Sequence, residues 1–249
     1  MVRRNHPAEK ISKTALLAGA ALAFPVVSKA SVVYVNNGSM PLFTVTSAQG
    51  SSSSTQDLTI DLGPSDTVTP FSFTAGGGVT GPDNFAEDTI GTPGIGDWVG
   101  SSSSSGSVMP FSTTGTEIGP VLDPSLAYYN GTGVLQKIDG DPTMTTAKGP
   151  WPTDGSSAYL GIEFEDANNS SLMYYGWVQL SACVPDQTPG NPCGDPSGMV
   201  GVISYAYQST ANTGIAIGQT SDVPEPSSIA LFALGAAGLV AYRRRKLAA

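Results

Sequence analysis

The chain has 249 residues, of which 12% are charged, with 20 acidic against 11 basic side chains, one His, two Cys, 30 Gly and 19 Pro. That length fits one β-rich domain or two small ones, and so few charges exclude charge-driven disorder, a helical bundle and a coiled coil. Between Ser31 and Val223 only Lys137 and Lys148 stand against 18 acidic residues, a net of −16 with no Arg and no His, so the body repels nucleic acid.

In chain order, the first element reads as a secretory signal. Arg3, Arg4, Lys10 and Lys13 precede the apolar run Ala15 to Val27, and Ser28-Lys29-Ala30 puts small residues at the −3 and −1 positions of a cleavage between Ala30 and Ser31. The run is too short and too Ala-rich for a comfortable membrane span, and it shows no polar face at helical spacing. Arg3-Arg4 lacks the continuation of a twin-arginine signal, so general secretion is expected.

The body, residues 31–222, contains no ten-residue run with helical period. Short β-branched or aromatic segments alternate with Gly, Pro, Ser and Asn/Asp clusters, as in an all-β sandwich. Candidate strands are Val32–Val35, Phe43–Thr46, Leu58–Leu62, Val68–Phe73 and Val134–Ile138. Ser51–Ser54 and Ser101–Ser105 read as exposed loops, and Gly76-Gly77-Gly78 as a turn, since no Lys or helix follows to make a phosphate-binding loop. The clearest strand is Tyr159 to Glu165, whose alternation sends Leu160, Ile162 and Phe164 to one face and Tyr159, Gly161, Glu163 and Glu165 to the other. Leu172 to Ser181 makes the returning strand and Val200 to Gln208 a third beside them. The second half, from about Leu122, reads as richer in strands than the middle.

Few side chains in this body can do chemistry. Glu163 and Glu165 share a strand face with Cα atoms about 6.6–7 Å apart at ~3.3–3.4 Å per residue, overlapping the carboxylate separation that glycoside hydrolysis uses. A polar outer strand face produces the same pattern more often. Asp139-Gly140-Asp141 and Asp83-Asn84 with Glu87-Asp88 carry hard oxygen donors for Ca²⁺, without the twelve-residue calcium-loop spacing. Tyr174, Tyr175 and Trp177 could stack on sugar rings if they faced outward, yet Tyr175 and Trp177 share a face that suits a core equally well. Thr44-Val45-Thr46 and Thr67-Val68-Thr69 resemble fragments of a threonine array without making a regular one. Cys183 and Cys193, ten residues apart, are expected to form a disulfide once exported, closing a loop worth ~2–3 kcal/mol. Two thiols without a nearby His are half a zinc site, and no metal or other cofactor is expected.

At the far end, Val223-Pro224-Glu225-Pro226-Ser227-Ser228 precedes the apolar stretch Ile229 to Tyr242, followed by Arg243, Arg244, Arg245 and Lys246. The prolines stop any upstream helix and can open a new one. The 14 apolar residues make a helix of about 21 Å at ~1.5 Å per residue, short of a hydrocarbon core of roughly 30 Å. Ile229, Leu231, Phe232, Leu234, Leu239 and Val240 are its anchoring side chains, and the cations behind them favour a cytoplasmic end with the body outside. The combination of Pro224-Glu225-Pro226, a short apolar helix and an Arg cluster resembles the PEP-CTERM sorting signal of Gram-negative bacteria. That resemblance covers Val223 to about Lys246. It implies anchoring in the inner membrane, recognition by exosortase, cleavage near Pro224-Glu225-Pro226, and delivery to the cell surface or an exopolysaccharide matrix.

A second, looser resemblance lies in the body. Tyr159-Leu160-Gly161-Ile162-Glu163-Phe164, then Tyr175-Gly176-Trp177, Tyr205-Ala206-Tyr207-Gln208 and Ile215-Ala216-Ile217-Gly218 are similar to a motif series in many proteins that carry such tails. Gln208 stands where Glu is common, and Tyr174-Tyr175 replaces a frequent His-Tyr. The series brings no catalytic residues with it.

The expectation is therefore an N-terminal signal helix (1–30), an all-β, antiparallel, jelly-roll-like β-sandwich (31–222) and a sorting tail with a short transmembrane helix (223–249). The expected role is a non-catalytic surface or matrix protein. The alternative is a carbohydrate-binding or glycoside-hydrolysing sandwich using Glu163 and Glu165.

Overall fold

The structure is a computed structural model that describes residues 31–38, 40–46, 53–63, 66–80, 83–103, 108–138, 149–152, 155–183, 199–222 and 234–235. Among these described residues thirteen strands follow one another: β1 (Val32–Asn36), β2 (Phe43–Thr46), β3 (Ser54–Gly63), β4 (Asp66–Thr80), β5 (Asp83–Gly91), β6 (Gly96–Ser101), β7 (Glu117–Ile118), β8 (Leu126–Tyr129), β9 (Gly133–Ile138), β10 (Ala158–Asp166), β11 (Asn169–Cys183), β12 (Met199–Gln208) and β13 (Ile215–Ala216). All pair antiparallel. The larger sheet runs β1-β12-β11-β10-β6-β8, with β2 also on β12; the smaller runs β3-β4-β5-β9. β1 and β2 lie end to end on β12, opposite Ser204 to Gln208 and Met199 to Val202 respectively.

Alternation explains how the sheets face each other. Leu160, Ile162 and Phe164 of β10, with Val178 and Leu180 of β11 and Val200 and Val202 of β12, meet Leu58, Ile60, Val68, Phe71, Phe73 and Ile90 of the smaller sheet in one buried core. Each apolar face covers the other, which neither hairpin could do alone. Consecutive strands stay neighbours within each sheet: β3-β4-β5 form one meander and β10-β11-β12 another. This corrects the jelly-roll-like expectation, in which consecutive strands alternate between sheets. The β10–β11 hairpin shows the cause, since only Ala167 and Asn168 separate its paired ends and Asp166 Oδ1 accepts the Asn168 and Asn169 N–H groups at 2.8 and 3.1 Å.

One further expectation fails. Gly76-Gly77-Gly78 is not a turn; it pairs with Phe85 to Glu87 inside β4. At Gly76 the strands run so close that a Cβ would stand 2.6 Å from the Glu87 carbonyl oxygen. β5 and β6 lie in the middle of the chain, and β8 to β13 follow Leu122.

The larger sheet has a second buried layer on its outer face. β7 and β13 pair into a two-stranded ribbon. Ile118 and Ile215 from it, with Ile217 just beyond β13, pack with Val99, Phe111, Leu126, Tyr175, Trp177 and Ala206. Gly161 of β10 makes room: a Cβ there would lie 2.7 Å from Ile118 Cδ1 and 2.8 Å from Val99 Cγ2. Among the described residues no helix is long and apolar enough to cross a membrane. Leu234 and Gly235 are helical, with Leu234 exposed. The other anchoring residues, the basic cluster, Pro224-Glu225-Pro226 and the signal segment through Ala30 lie outside the described residues.

Candidate functional site

The outer face of the larger sheet gathers the chemistry-bearing side chains. On β10, Glu163 lies opposite Asp97 of β6 and Tyr175 of β11. Glu163 is half-buried and hydrogen-bonded to Asp97. Burial first, then the Asp97 charge and hydrogen bond, then the Glu165 charge, push its carboxyl up to about 7. A carboxyl pair of this kind retains a proton near neutral pH and can donate it. Asn130 Nδ2 donates to Asp97 Oδ1 at 3.0 Å, steadying the second carboxylate. Tyr128 closes one side: its hydroxyl donates to the Gly119 carbonyl at 2.9 Å, and its ring lies 6.1 Å from Tyr175. Burial and the neighbouring Glu163 charge raise the Tyr128 and Tyr175 phenols, so both remain neutral.

The closest acidic partner of Glu163 is thus the cross-strand Asp97, with Glu165 a weaker influence. Glu165 sits nearer the turn, and its backbone N–H donates to the Ile95 carbonyl at 2.8 Å. Tyr175 and Trp177 do share a face, as alternation requires, but both are buried, at 5% and 1% exposure. Neither offers an open ring to a sugar. Tyr174 faces the inter-sheet core and stacks on Phe164 at 5.6 Å. Thr44 and Thr46 lie on the larger sheet and Thr67 and Thr69 on the smaller, so they form no common row.

Asp88 is fully buried, which no local pattern announces. Cys183 N–H donates to its Oδ2 at 3.3 Å, the Gly76 and Met199 N–H groups also bond the carboxyl, and burial pushes its pKa well up. It therefore joins β4 and β5 of one sheet to β11 and β12 of the other. Among the described residues no group of three or more His, Cys, Asp or Glu could hold a metal ion. Asp139 and Asp141 lie outside the described residues. Cys183 is buried and is not a free thiol, while Cys193 lies outside the described residues.

Trp177 connects this face to the end of the body. Its indole Nε1 donates to the Gln219 carbonyl at 3.2 Å. Gln219 N–H donates to the Ala216 carbonyl at 2.9 Å, and Ala216 N–H returns a bond to Gln219 Oε1 at 3.2 Å. Gly218 turns the chain here with φ of 77°, a left-handed value that Gly adopts without strain. Three residues on from Gln219, Asp222 Oδ1 accepts the Val32 N–H at 2.7 Å. Directly after this point, residues 222–246 match the family model described as the PEP-CTERM protein-sorting motif.

The chain carries a PEP-CTERM sorting motif. Such a motif marks an exported protein sorted to the cell surface and implies exosortase processing in general. The first residue of that match, Asp222, is bonded to β1, and the Tyr-Gly-Trp, Ala-Tyr-Gln and Ile-Ala-Ile-Gly segments are largely buried. No curated protein and no solved structure matches the chain. The sorting motif spans about a tenth of the sequence and therefore speaks to destination, not to what the β body does on arrival.

Proposed function

We propose that the chain is a non-catalytic structural or binding protein of the cell surface or exopolysaccharide matrix. In this reading it is secreted by cleavage between Ala30 and Ser31, held in the inner membrane by Ile229 to Tyr242 and Arg243 to Lys246, and processed by exosortase near Pro224-Glu225-Pro226. The observation that carries the proposal is the sorting motif at residues 222–246 behind a β body of 31–222. Poverty of catalytic groups supports the non-catalytic part: the body has no His and no Arg, and its aromatic pair Tyr175 and Trp177 is buried. A Cys183–Cys193 disulfide belongs to the same proposal, and no cofactor enters it.

The test is fractionation of the full chain in a Gram-negative host that carries exosortase. Replacing Pro224, Glu225 and Pro226 with Ala should leave the uncut protein in the membrane fraction, whereas the unaltered chain is released. Equal release of both would overturn the proposal. The hydrolase alternative retains one favourable feature, the Glu163–Asp97 carboxyl pair. Glycoside turnover by the full chain that Glu163→Gln abolishes would replace the non-catalytic reading.

A further inference from the structure

The two ends of the described body meet at one hydrogen bond. Val32, the first residue of β1, donates its N–H to Asp222 Oδ1 at 2.7 Å across a sequence separation of 190. Beside it, Ser31 N–H reaches Ser209 Oγ at 3.3 Å and Ser209 N–H reaches the Ser31 carbonyl at 2.8 Å. Val32 N–H points away from β12: the Ser209-to-Ser31 bond and the register Val33 opposite Tyr207 assign the inward bonds to Ser31, Val33 and Val35. It is an edge donor with no ladder partner, and Asp222 supplies one. Asp222 is also the first residue matched by the sorting motif. Upstream, the segment is held by the Trp177-to-Gln219 bond and by burial of Ile215 and Ile217.

We propose that the Asp222–Val32 contact is a latch that restricts exosortase access to the sorting motif, so that the latch must open before the chain is cut. This rests on processing near Pro224-Glu225-Pro226. With Asp222 pinned, Val223 is the one residue between the folded edge and Pro224. An active-site cleft needs extended chain on both sides of the bond it cuts, and on the N-terminal side Asp222 is held against the β1 edge instead. Processing then follows the open fraction of the latch, as proteolysis follows local opening whenever opening is faster than cleavage. The contact is a charge-assisted hydrogen bond at an exposed edge, so opening it permanently should raise the rate about three- to tenfold.

Pulse–chase of the full chain in the exosortase-carrying host tests this. Asp222→Ala should shorten the lifetime of the uncut form about three- to tenfold, and Asp222→Asn, which keeps an uncharged acceptor, should shorten it less. Val32→Pro removes the donor from the other side, at a strand-starting edge position that tolerates Pro, and should match Asp222→Ala. Acceleration by Asp222→Ala without acceleration by Val32→Pro would mean that exosortase reads Asp222 itself, and would overturn the latch. So would unchanged or slower conversion in both. Amide exchange checks the fold: faster exchange confined to Val32 and residues 215–222 supports the latch, and general loosening of β10 to β12 overturns it. Combining each change with the Pro224, Glu225 and Pro226 replacements separates the levels. Conversion that ignores the triple replacement overturns the sorting reading and the latch with it; motif-dependent conversion that ignores Asp222 and Val32 overturns the latch alone.

Discussion

Glu163 is where a single side chain changes the behaviour of the fold. Its carboxyl, pushed up to about 7 by burial and then by Asp97, binds a proton more tightly in the folded chain than in the unfolded one. Folding stability therefore falls as pH rises from the ordinary glutamate range to about 7 and is level above that. Glu163→Gln should remove this slope, leaving a protein more stable than the parent at pH 8 by on the order of 1 kcal/mol after allowance for solvent screening of a half-exposed group. Denaturant midpoints of both proteins at pH 5 and pH 8 check it. Period-two alternation was enough to single out Glu163 and Glu165 as face-sharing carboxylates. Asp97 was invisible to it, because the bond that matters crosses from β10 to β6, between residues 66 positions apart in the chain. Asp88 was likewise unreadable: an Asp in a polar stretch has no local mark of lying between two sheets.

At the level of elements, alternation located the strands whose apolar residues are β-branched or aromatic, including β1, β2, β10, β11 and β12. It passed over β5, with its Asp83-Asn84 and Glu87-Asp88 pairs, and β6, which begins Gly96-Asp97 and ends Gly100-Ser101. Those strands are held by ladders on both sides, so their neighbours supply what intrinsic propensity lacks. The outer layer was the larger omission. Its β7 and β13 are two residues long each, too short to carry any period, and they exist because Ile118, Ile215 and Ile217 bury against the sheet. Gly161→Val tests this layer directly. The added side chain meets Ile118 and Val99, and should cost about 1–3 kcal/mol of stability. Limited proteolysis should then cut residues 108–122 and 209–219 while β10 to β12 remain protected; protection of both segments at parental levels would argue against the layer.

For the whole molecule, charge distribution and chain closure act together. The basic residues belong almost wholly to the two expected processing segments, and the body from Ser31 to Asp222 holds two basic against 18 acidic residues. Loss of both segments should therefore convert a chain of formal charge −9 into a much more acidic body. Anion-exchange chromatography in matched detergent should elute the released form at higher salt than the uncut form, and co-elution would show that the basic ends are still attached. Contiguous sequence determined this charge layout, the signal-like and sorting segments, and the alternating faces of the main strands, because each depends on residues within one short stretch. Only the tertiary structure decided the meander order of the sheets, the pairing of Glu163 with Asp97, the burial of Trp177 under a second layer, and the meeting of Val32 with Asp222. These are contacts between distant stretches, chosen by which apolar faces can cover one another and which edge donors then lack a partner, and no local pattern of residues carries that information.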